Sequence, residues 1–585
     1  MEKVDRLTEL PESIIHRIIS FLSFHDATKT SILSRKFRSI WYSFPTIWFD
    51  ESHQTGKRSV ERRSKRIDTF LSYVHDFLRL REPNIALQVF RFRVALTSDF
   101  HDKSDDRIDA AICYALENYV KELDLDVVGD YNNSRSYYRL PSAVFSARSI
   151  AVLKLKGFKL MPQDLILSSK LMEYLAIHGC SGMKTLKVSC DKLKFVKIDS
   201  CDRLEKIEMA ASNMESFSFD GTRKYGELGS FDINFSACIS LKHLSLENTP
   251  ITDACLTCGV SGLFMLETLI LRHCNSLVNL YLFSLELKTM ELENCSRLKK
   301  IEVVAPNLES FVCNNGELKT CIINIEACKL LKSIALQGVQ ITSQWLENNV
   351  SDELALLEDV KLFGCNILGK FKICHKKLKS FQLPQCQLEE AEIDSRNLNS
   401  FVCSVGSDPI SLAVHSPQAD VKLFLENREN FVSTNWFLRL RDVLASMGHC
   451  RELKLVCNSE KPLMVPEDLR ESLLSPMYDL RRLKVEIISK PMEQLVDLID
   501  SLLWLAPHPN FISILLGSKE KTLKLEYSLR VATDEDPSCC KSRLFKCWRH
   551  YLKEVTMEHF ETSEKNSLQK FITENAMRLK AIYDH

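Results

Sequence analysis

The sequence lacks a hydrophobic run long enough to cross a bilayer, because no stretch reaches the roughly 18 uncharged apolar residues that a membrane-spanning helix requires. The first residues, MEKVDRLTEL, also lack the charged start and apolar core of a secretory signal. We therefore expect a soluble intracellular protein, in the cytoplasm, the nucleus or both, with no membrane partner.

The sequence has no excess of either charge, since 77 lysines and arginines balance 77 aspartates and glutamates. Without a net charge there is no global field to attract nucleic acid, so we expect no nucleic-acid partner. One local run is basic: KRSVERRSKR, residues 57–66, has six lysines and arginines in ten residues. It fits a solvated linker better than a nuclear targeting signal or a nucleic-acid contact, because such runs are common on protein surfaces.

Standard catalytic motifs are missing too, as H-E-x-x-H, G-x-S-x-G and G-x-G-x-x-G do not occur. The segment from Gly364 to Lys370 approaches a phosphate-binding loop, but Phe371 stands where that loop needs serine or threonine to hold magnesium. We predict that the chain is not an enzyme, with no catalytic residue and no cofactor.

The 21 cysteines are better explained as small buried apolar side chains than as disulfides, because a reducing compartment keeps them as thiols. Two groups have the spacing of half a zinc site: Cys255 with Cys258, and Cys539, Cys540, Cys547 with His550. Neither has a second pair at standard spacing, so we predict packed thiols and no metal.

Segments with apolar residues at i, i+3 and i+5 and a small residue at i+8 recur along the chain. Clear examples are LKFVKIDSC at 193–201, LETLILRHC at 266–274, LKTMELENC at 287–295, LEDVKLFGC at 357–365 and LKSFQLPQC at 378–386. This is the leucine-rich repeat pattern. It predicts an α/β fold, a solenoid of stacked repeats with a curved parallel β-sheet.

A longer period overlies the short one, because Cys180, Cys274 and Cys365 are 94 and 91 residues apart. Matching phrases, SNMESFSF, PNLESFVC and RNLNSFVC, begin at residues 212, 306 and 396. We infer three super-repeats of about 92 residues within 150–405, built by duplication, in which each unit buries its apolar face against its neighbours.

Strand alternation turns the residue between the two leucines of L-x-L away from the core, so these residues are expected to line the sheet as a partner surface. The candidates are Lys197, Glu208, Glu291, Glu302, Lys361, Gln382 and Glu392. Their mixed charges specify no ligand chemistry. Short apolar phrases, such as LKVSC at 186–190 and FKIC at 371–374, predict further strands on the convex side, and SQWLENNV at 343–350 leaves room for a helix.

Residues 10–49 have a helical period. Apolar residues repeat by four from Ile14 to Leu22, which predicts a short helix with a broad apolar face. Asp26 and Ser34 are plausible N-caps of two further helices. Such helices could pack wholly among themselves or leave a face for another protein, and periodicity alone does not choose.

This N-terminal region resembles the F-box of plant-type F-box/LRR proteins. The matching residues are Leu10-Pro11, Ile18, Ser20-Phe21-Leu22, Asp26-Ala27, Thr30-Ser31, Leu33-Ser34-Arg35, Arg38, Trp41 and Phe49-Asp50. Phe37 departs from the family, which often has Trp there; the aromatic contact is kept and an indole donor is lost. The chain resembles the family's first repeats at 121–127 and 140–158.

The tail resembles the FBD region of the same family, as a strand followed by a helix. The matching residues are Cys547-Trp548, Leu552, Val555, Phe560, Leu568, Phe571, Asn575 and Leu579. The resemblance implies four segments: an F-box at 5–50, a basic linker and connecting helix at 51–83, a repeat solenoid at 84–530 and an FBD-like cap at 531–585.

In that family the F-box docks on the Skp adaptor of a cullin-RING ubiquitin ligase. The resemblance therefore implies a Skp-type adaptor and a cullin as partners, and a protein substrate held by the repeats. It also implies that eight residues divide between the F-box core and the adaptor interface: Leu10, Pro11, Ile14, Ile15, Ile18, Leu22, Leu33 and Trp41.

Two alternatives stay open. Some relatives in the family sense a hormone and an inositol phosphate within the solenoid, which needs a basic pocket; Lys197 and Lys361 are far apart and flanked by glutamates, so this function is less favoured. The other alternative is a repeat scaffold that binds a partner protein without any ligase, its F-box being purely structural.

Overall fold

A computed structural model describes most of the chain. The described residues are 9–22, 24–53, 60–81, 85–96, 106–128, 138–201, 204–221, 231–351, 354–406, 411–416, 419–426, 433–488, 494–528 and 547–584. They form two compact units: unit 1 is Met1–Leu287 with Asn294–Leu298, and unit 2 is Lys288–Glu293 with Lys299–His585.

Unit 1 begins with three short helices and a strand: α1 Glu12–Ser20, α2 Phe24–Thr30, α3 Arg35–Tyr42 and β1 Thr46–Asp50. The predicted cap at Ser34 is confirmed, since its hydroxyl accepts a hydrogen bond from the Phe37 amide at 3.2 Å. The predicted cap at Asp26 is wrong, because Asp26 lies inside α2. Its carboxylate instead pairs with Lys29 one turn later, at 3.3 Å.

The chain then alternates helices with strands of a parallel sheet: α4 Val60–Leu80, β2 Val89–Ala95, α5 Asp106–Glu117 and β3 Glu122–Val128. Strand β2 pairs in parallel with both β1 and β3. Of the basic run at 57–66, residues 57–59 lie outside the described residues and the rest begins α4. The three-helix module therefore continues directly into the sheet through β1.

The repeats of unit 1 follow as β4 Tyr138–Arg139, α6 Ala143–Ser146, β5 Val152–Lys156, β6 Phe158–Lys159, β7 Asp164–Leu167, β8 Tyr174–His178, β9 Thr185–Ser189, β10 Phe195–Asp199, β11 Lys206–Ala210, β12 Ser216–Asp220, β13 Asp232–Asn234, β14 His243–Glu247, α7 Asp253–Val260, β15 Thr268–Arg272 and β16 Asn279–Phe283. A long parallel sheet has the order β1-β2-β3-β5-β8-β10-β12-β14-β15. A second sheet has the order β7-β9-β11-β13, and β4 pairs with β6.

The elements of unit 2 are β17 Thr289–Glu293, β18 Lys300–Val304, β19 Ser310–Thr320, β20 Ile322–Asn324, β21 Ser333–Thr342, α8 Ser343–Asn349, β22 Asp359–Phe363, β23 Asn366–Leu368, β24 Lys370–Cys374, β25 Ser380–Leu383, β26 Glu390–Asp394, β27 Ser400–Val405, β28 Ser411–His415, β29 Asp420–Leu425, α9 Thr434–Ala445, β30 Glu452–Cys457, α10 Glu467–Ser472, β31 Arg482–Ile487, α11 Leu495–Leu505, β32 Phe511–Leu516, β33 Lys519–Tyr527, β34 Leu552–Glu558, α12 Thr562–Asn575 and β35 Ala581–Asp584.

Unit 2 also has a long sheet, in the order β17-β19-β21-β22-β25-β27-β29-β30-β31-β32-β33-β34-β35. It is parallel as far as β32, and β33 is antiparallel to both of its neighbours. Second-sheet strands pair as β18-β20 and β24-β26-β28. The predicted outer strands at 186–190 and 371–374 correspond to β9 and β24, and the predicted helix at 343–350 corresponds to α8.

The leucines of the repeat pattern are buried, and its cysteines are buried too and donate hydrogen bonds to backbone carbonyls of the preceding repeat. In LETLILRHC, Leu269, Leu271 and Cys274 are fully buried. The Cys274 thiol donates to the Leu246 carbonyl of the preceding repeat at 3.5 Å, and Cys386 donates likewise to a carbonyl at 3.0 Å. A small thiol therefore packs and also satisfies a buried carbonyl. The predicted fold class, a helical N-terminal module followed by an α/β leucine-rich repeat domain, is confirmed.

The predicted strand and helix of the tail are β34 and α12. The ammonium of Lys521 on β33 is buried and lies 2.5 Å from the carboxylate of Glu564 on α12. The ring of Trp548 packs on Phe571 of α12, with centroids 5.8 Å apart. These contacts attach the terminal helix to the antiparallel end of the sheet in unit 2.

Candidate functional site

The N-terminal helices expose apolar side chains that a folded module would ordinarily bury. On α1, the inward side chains Ile15 and Ile19 are 0% and 1% exposed. The exposed members, which we call the exposed apolar set, are Ile14, Ile18, Phe21, Leu22, Ile32 and Leu33. Phe21 is 79% exposed, Ile32 77% and Leu33 68%. So many large apolar side chains on so small a module are typical of a protein-binding surface.

The eight residues predicted to divide between core and interface separate clearly by burial. Ile15 and Trp41 belong to the core, with Trp41 only 3% exposed. Leu10 is half-buried, and the remaining five are exposed: Pro11, Ile14, Ile18, Leu22 and Leu33. Sequence reasoning did not place Phe21 and Ile32 at the interface, although both lie beside residues that it did select.

Local contacts hold the exposed set in place. The Lys36 ammonium on α3 donates to the Leu10 carbonyl at 2.9 Å, which ties the start of α1 to α3. His16 lies 3.3 Å from the Ser43 hydroxyl. The Trp41 ring packs near Phe44, with centroids 6.2 Å apart. The exposed side chains are therefore presented from a packed core.

A second group of contacts joins the helical module to the sheet of unit 1. The buried guanidinium of Arg81 donates to the Phe44 carbonyl at 2.8 Å and to the Tyr114 hydroxyl at 3.1 Å. The buried carboxylate of Glu51 accepts a hydrogen bond from Arg66 of α4 at 2.6 Å. Because β1 is itself a strand of the long sheet, the module and the first repeats share one core within unit 1.

The long sheet of unit 1 carries an ion-pair network close to this junction. The Glu122 carboxylate lies 3.0 Å from Arg91 and 3.1 Å from Lys154. Partial burial raises the pKa of Glu122, but the hydrogen bonds from Arg91 and Lys154 outweigh it and hold the pKa below its ordinary value. Arg93 and Lys156 both pair with Asp126, at 2.9 and 3.3 Å.

The seven predicted partner-facing residues do not lie on one kind of sheet. Lys197 belongs to the long sheet of unit 1, and three others belong to the long sheet of unit 2: Glu291, Lys361 and Gln382. The expectation that the other three line the same surface is wrong. Glu208, Glu302 and Glu392 lie on β11, β18 and β26 of the second sheets.

These three glutamates are each engaged by lysines of their own sheet. Glu208 lies 2.9 Å from Lys206 and 3.0 Å from Lys187, and these hydrogen bonds lower the pKa of its carboxyl. Glu302 pairs with Lys300 at 2.8 Å and Glu392 with Lys372 at 2.6 Å. Their carboxylates thus contribute to pairing within the second sheets.

The turns that follow the misassigned strands differ from the turns that follow several long-sheet strands. Long-sheet strands that end in x-Cys have a left-handed residue before the cysteine, as at Ser200, His273 and Asn294, with φ of 54°, 53° and 53°. The strands that carry the three misassigned glutamates are instead followed by the Asn-containing phrase, in which the Asn213 side chain donates to the Asp191 carbonyl at 2.7 Å. The phrase closes the turn between the second sheet and the next long-sheet strand.

The competing motifs have structural explanations. Gly364 adopts a left-handed φ of 58°, and the segment continues as β23 and β24. No helix begins where a phosphate-binding loop would require one.

Cys255 and Cys258 lie on α7, whereas Cys539 and Cys540 lie outside the described residues. Within the ranges given above, no three His, Cys, Asp or Glu side chains are grouped to hold a metal ion. No described helix is both long enough and apolar enough to span a membrane.

Comparison with known proteins identifies two domains. Residues 7–48 match the F-box domain family, and residues 163–229 and 230–322 match the family described as At1g61320/AtMIF1, LRR domain. Curated relatives from Arabidopsis thaliana include the putative F-box/FBD/LRR-repeat protein At4g03220, 25% identical over 37% of this chain and 47% of the relative.

Two further relatives from the same plant are also named as F-box proteins. F-box/LRR-repeat protein At3g58900 is 27% identical over 47% of this chain and 68% of its own length. FBD-associated F-box protein At4g10400 is 26% identical over 37% of this chain and 50% of its own length. The chain thus spans between about half and two thirds of the length of these three relatives.

Proposed function

We propose, from the F-box and the leucine-rich repeats that mark this chain as an F-box/LRR-repeat protein, that it is the substrate-recruiting subunit of a cullin-RING ubiquitin ligase. Its F-box would bind a Skp-type adaptor, the adaptor would bind the cullin, and the repeats would bind a protein substrate. The observation that carries the proposal is the exposed apolar set, which lies within the matched F-box residues 7–48.

The energetic argument is that these side chains gain from a partner. Burying an apolar side chain contributes about 1.5–3 kcal/mol, and six such side chains are exposed to at least 39% in the free chain. Part of this gain is spent on the entropy of association. We assign the adaptor contact to Leu10, Pro11, Ile14, Ile18, Leu22 and Leu33, and add Phe21 and Ile32; Ile15 and Trp41 support it from the core.

The proposed role needs no catalytic residue in this chain. Binding the adaptor at one end and a substrate on the repeats holds a substrate lysine near the ubiquitin carrier of the assembled ligase. Tethering raises the effective concentration of the two reacting groups, and this proximity accelerates transfer. We place this activity in the cytoplasm, the nucleus or both.

The test is a titration of the full-length chain with a purified Skp-type adaptor. Phe21→Asp combined with Leu33→Asp places two charges where apolar contact is proposed, at side chains exposed enough that folding is retained. We expect adaptor affinity to fall at least tenfold. The matched control is Ile166→Asp with Ile322→Asp, which changes equally exposed side chains, 62% and 69%, on second-sheet strands.

Unchanged affinity in the F-box double variant, or equal loss in the control, would contradict the assignment of the adaptor surface. Absence of adaptor binding by the wild-type chain would favour the alternative function, a repeat scaffold that binds a partner protein without any ligase. Circular dichroism and the thermal midpoint of each variant report whether the change in affinity comes from unfolding.

A further inference from the structure

Residues of alternating charge stand immediately before successive long-sheet strands. Over five successive strands of unit 1 this position is occupied by Glu173, Lys194, Glu215, Lys242 and Glu267, and the Glu267 amide donates to the Lys242 carbonyl at 2.9 Å. Each backbone amide donates to the carbonyl of the previous member, so that Lys194 reaches Glu173, Glu215 reaches Lys194 and Lys242 reaches Glu215, all at 2.9 Å. Adjacent strands lie about 4.8 Å apart, so opposite charges are neighbours along this edge.

At the equivalent positions in unit 2, before the strands of its long sheet, charged side chains form ion pairs. Lys332 lies 2.9 Å from Glu309, and Lys379 lies 2.7 Å from Glu358. The hydrogen bond from Lys379 lowers the pKa of Glu358. In unit 2, therefore, lysines and glutamates at this position form ion pairs with one another.

In unit 1 the ladder is open. Among the residues that the structure describes, no carboxylate comes within ion-pair distance of Lys194 or Lys242. Between them lies a groove of about 470 Å³, lined also by Lys192, Asn213, Ser240 and Met265. Three lysines and two glutamates thus line the groove, which gives its lining a surplus of one positive charge; Glu267, next after Lys242 on the ladder, is not among the lining residues.

Met265 gives the lining of this groove one apolar side chain, and two exposed apolar residues, Phe264 and Ile239, adjoin the lining residues Met265 and Ser240 in sequence. Met265 is 46% exposed, its neighbour Phe264 is 74% exposed and Ile239 is 56% exposed. Ile239 lies in the turn before β14, and Phe264 and Met265 lie in the turn before β15. A ligand that satisfied the lysines and covered these side chains would carry carboxylates followed by an apolar group.

We propose that this groove binds an extended acidic segment of the substrate protein; the inference rests on the ligase-receptor function and names the class of sequence that the receptor selects. Lys194 and Lys242 precede strands two steps apart, or about 10 Å. A polyproline-type chain repeats its side-chain direction every three residues and rises about 9 Å over that distance. Two acidic residues three positions apart therefore match the two lysines.

A compact polyanion fits less well. Glu173 and Glu215 line the same groove and would repel a dense cluster of negative charge, whereas an extended peptide places its carboxylates beside the lysines and its neutral residues between them. The groove thus favours spaced carboxylates and an apolar residue toward Met265.

The experiment uses the full-length chain and a fluorescein-labelled peptide in which two glutamates flank a pair of prolines, with leucine two residues beyond. Fluorescence anisotropy is expected to give saturable binding that weakens as salt is raised, because exposed charge pairs are screened. Lys194→Gln with Lys242→Gln should weaken binding by about fivefold or more, in line with two surface charge pairs. Glu215→Gln should strengthen it, since one repelling carboxylate is removed.

The matched control is Lys332→Gln with Lys379→Gln, which removes the same charges from the paired part of the ladder and should leave peptide binding unchanged. Equal loss in that control, equal binding of a peptide with glutamines for glutamates, or no saturable binding by the wild type would overturn the proposal. Tighter binding of tripolyphosphate at the same lysines would also overturn it, in favour of a small-anion site.

Adaptor binding is measured on the same preparations, which separates the two proposals. Retained adaptor binding without peptide binding would refute the groove alone. Retained peptide binding without adaptor binding would refute the ligase role and leave the groove as a peptide site of a scaffold. The adaptor affinity of the Lys194 and Lys242 double variant should equal that of the wild type.

Discussion

Replacing Trp41 by alanine should mainly lower the stability of the N-terminal helical module. Replacing Leu33 by alanine should mainly lower the affinity for the adaptor. Trp41 is 3% exposed and packs against Phe44 and Phe77, with ring centroids 6.2 and 5.9 Å away. Truncating a buried tryptophan typically costs about 3–5 kcal/mol. Leu33 is 68% exposed, so its truncation removes only about a third of a leucine's burial, below about 1 kcal/mol.

Hydrogen exchange of the α1 amides, followed by mass spectrometry, measures these costs locally. Each 1.4 kcal/mol changes the opening equilibrium tenfold, so Trp41→Ala should accelerate exchange about a hundredfold or more, up to the limit set by other opening reactions. Leu33→Ala should change exchange by less than about fivefold and still weaken adaptor binding. Similar acceleration by both variants would refute the division of this module into core and contact residues.

Three further predictions concern the repeats. The Asp253 carboxylate accepts two backbone hydrogen bonds from the turn into β16, at 2.8 and 2.9 Å. Asp253→Ala should therefore lower the free energy of unfolding of unit 1 by about 2–4 kcal/mol, as measured by urea unfolding, and Asp253→Asn by about half of that. The lowered pKa of Glu122 contributes stability that is present above pH 4.5 and is lost as pH falls through the folded-state pKa; the urea midpoint should therefore fall more between pH 5 and 3 in the wild type than in Glu122→Gln. Iodoacetamide should modify the exposed Cys258 and Cys374 before the buried Cys180, as read by peptide mass spectrometry, because burial raises the pKa of Cys180 to about 12.

Much of the repeat fold could be predicted because one short pattern carries two constraints. In LETLILRHC the two-residue alternation selects Leu269 and Leu271 for the core, and the small Cys274 fits where the chain turns beneath the preceding repeat. Both constraints are local in sequence. The pattern therefore predicts strands, buried faces and parallel stacking without knowledge of distant contacts.

The assignment of strands to sheets could not be obtained from alternation alone. KIEMA, the strand that carries Glu208, alternates as regularly as FVKID, the strand that carries Lys197, yet they belong to different sheets. What differs is the turn that follows: a left-handed residue before cysteine in one case and the Asn phrase in the other. Side-chain periodicity carries no information about that choice.

The helical module illustrates a second limit. Periodicity by four predicts α1 but treats Ile14, Ile15, Ile18 and Ile19 as one apolar face. Only the positions of α2 and α3 decide that Ile15 and Ile19 are covered while Ile14 and Ile18 remain 44% and 39% exposed. The charged positions of unit 1 illustrate the same limit. Their lysines and glutamates alternate as they do in unit 2, but among the described residues only those of unit 2 form ion pairs with one another.

The most direct test of the ligase-receptor function is assembly of the full-length chain with a purified Skp-type adaptor and cullin, followed by size-exclusion chromatography. We predict that the wild-type chain co-elutes with both proteins and that the Phe21→Asp, Leu33→Asp double variant elutes alone while keeping its circular dichroism spectrum. Elution of the wild-type chain apart from the adaptor and cullin would contradict the proposed function.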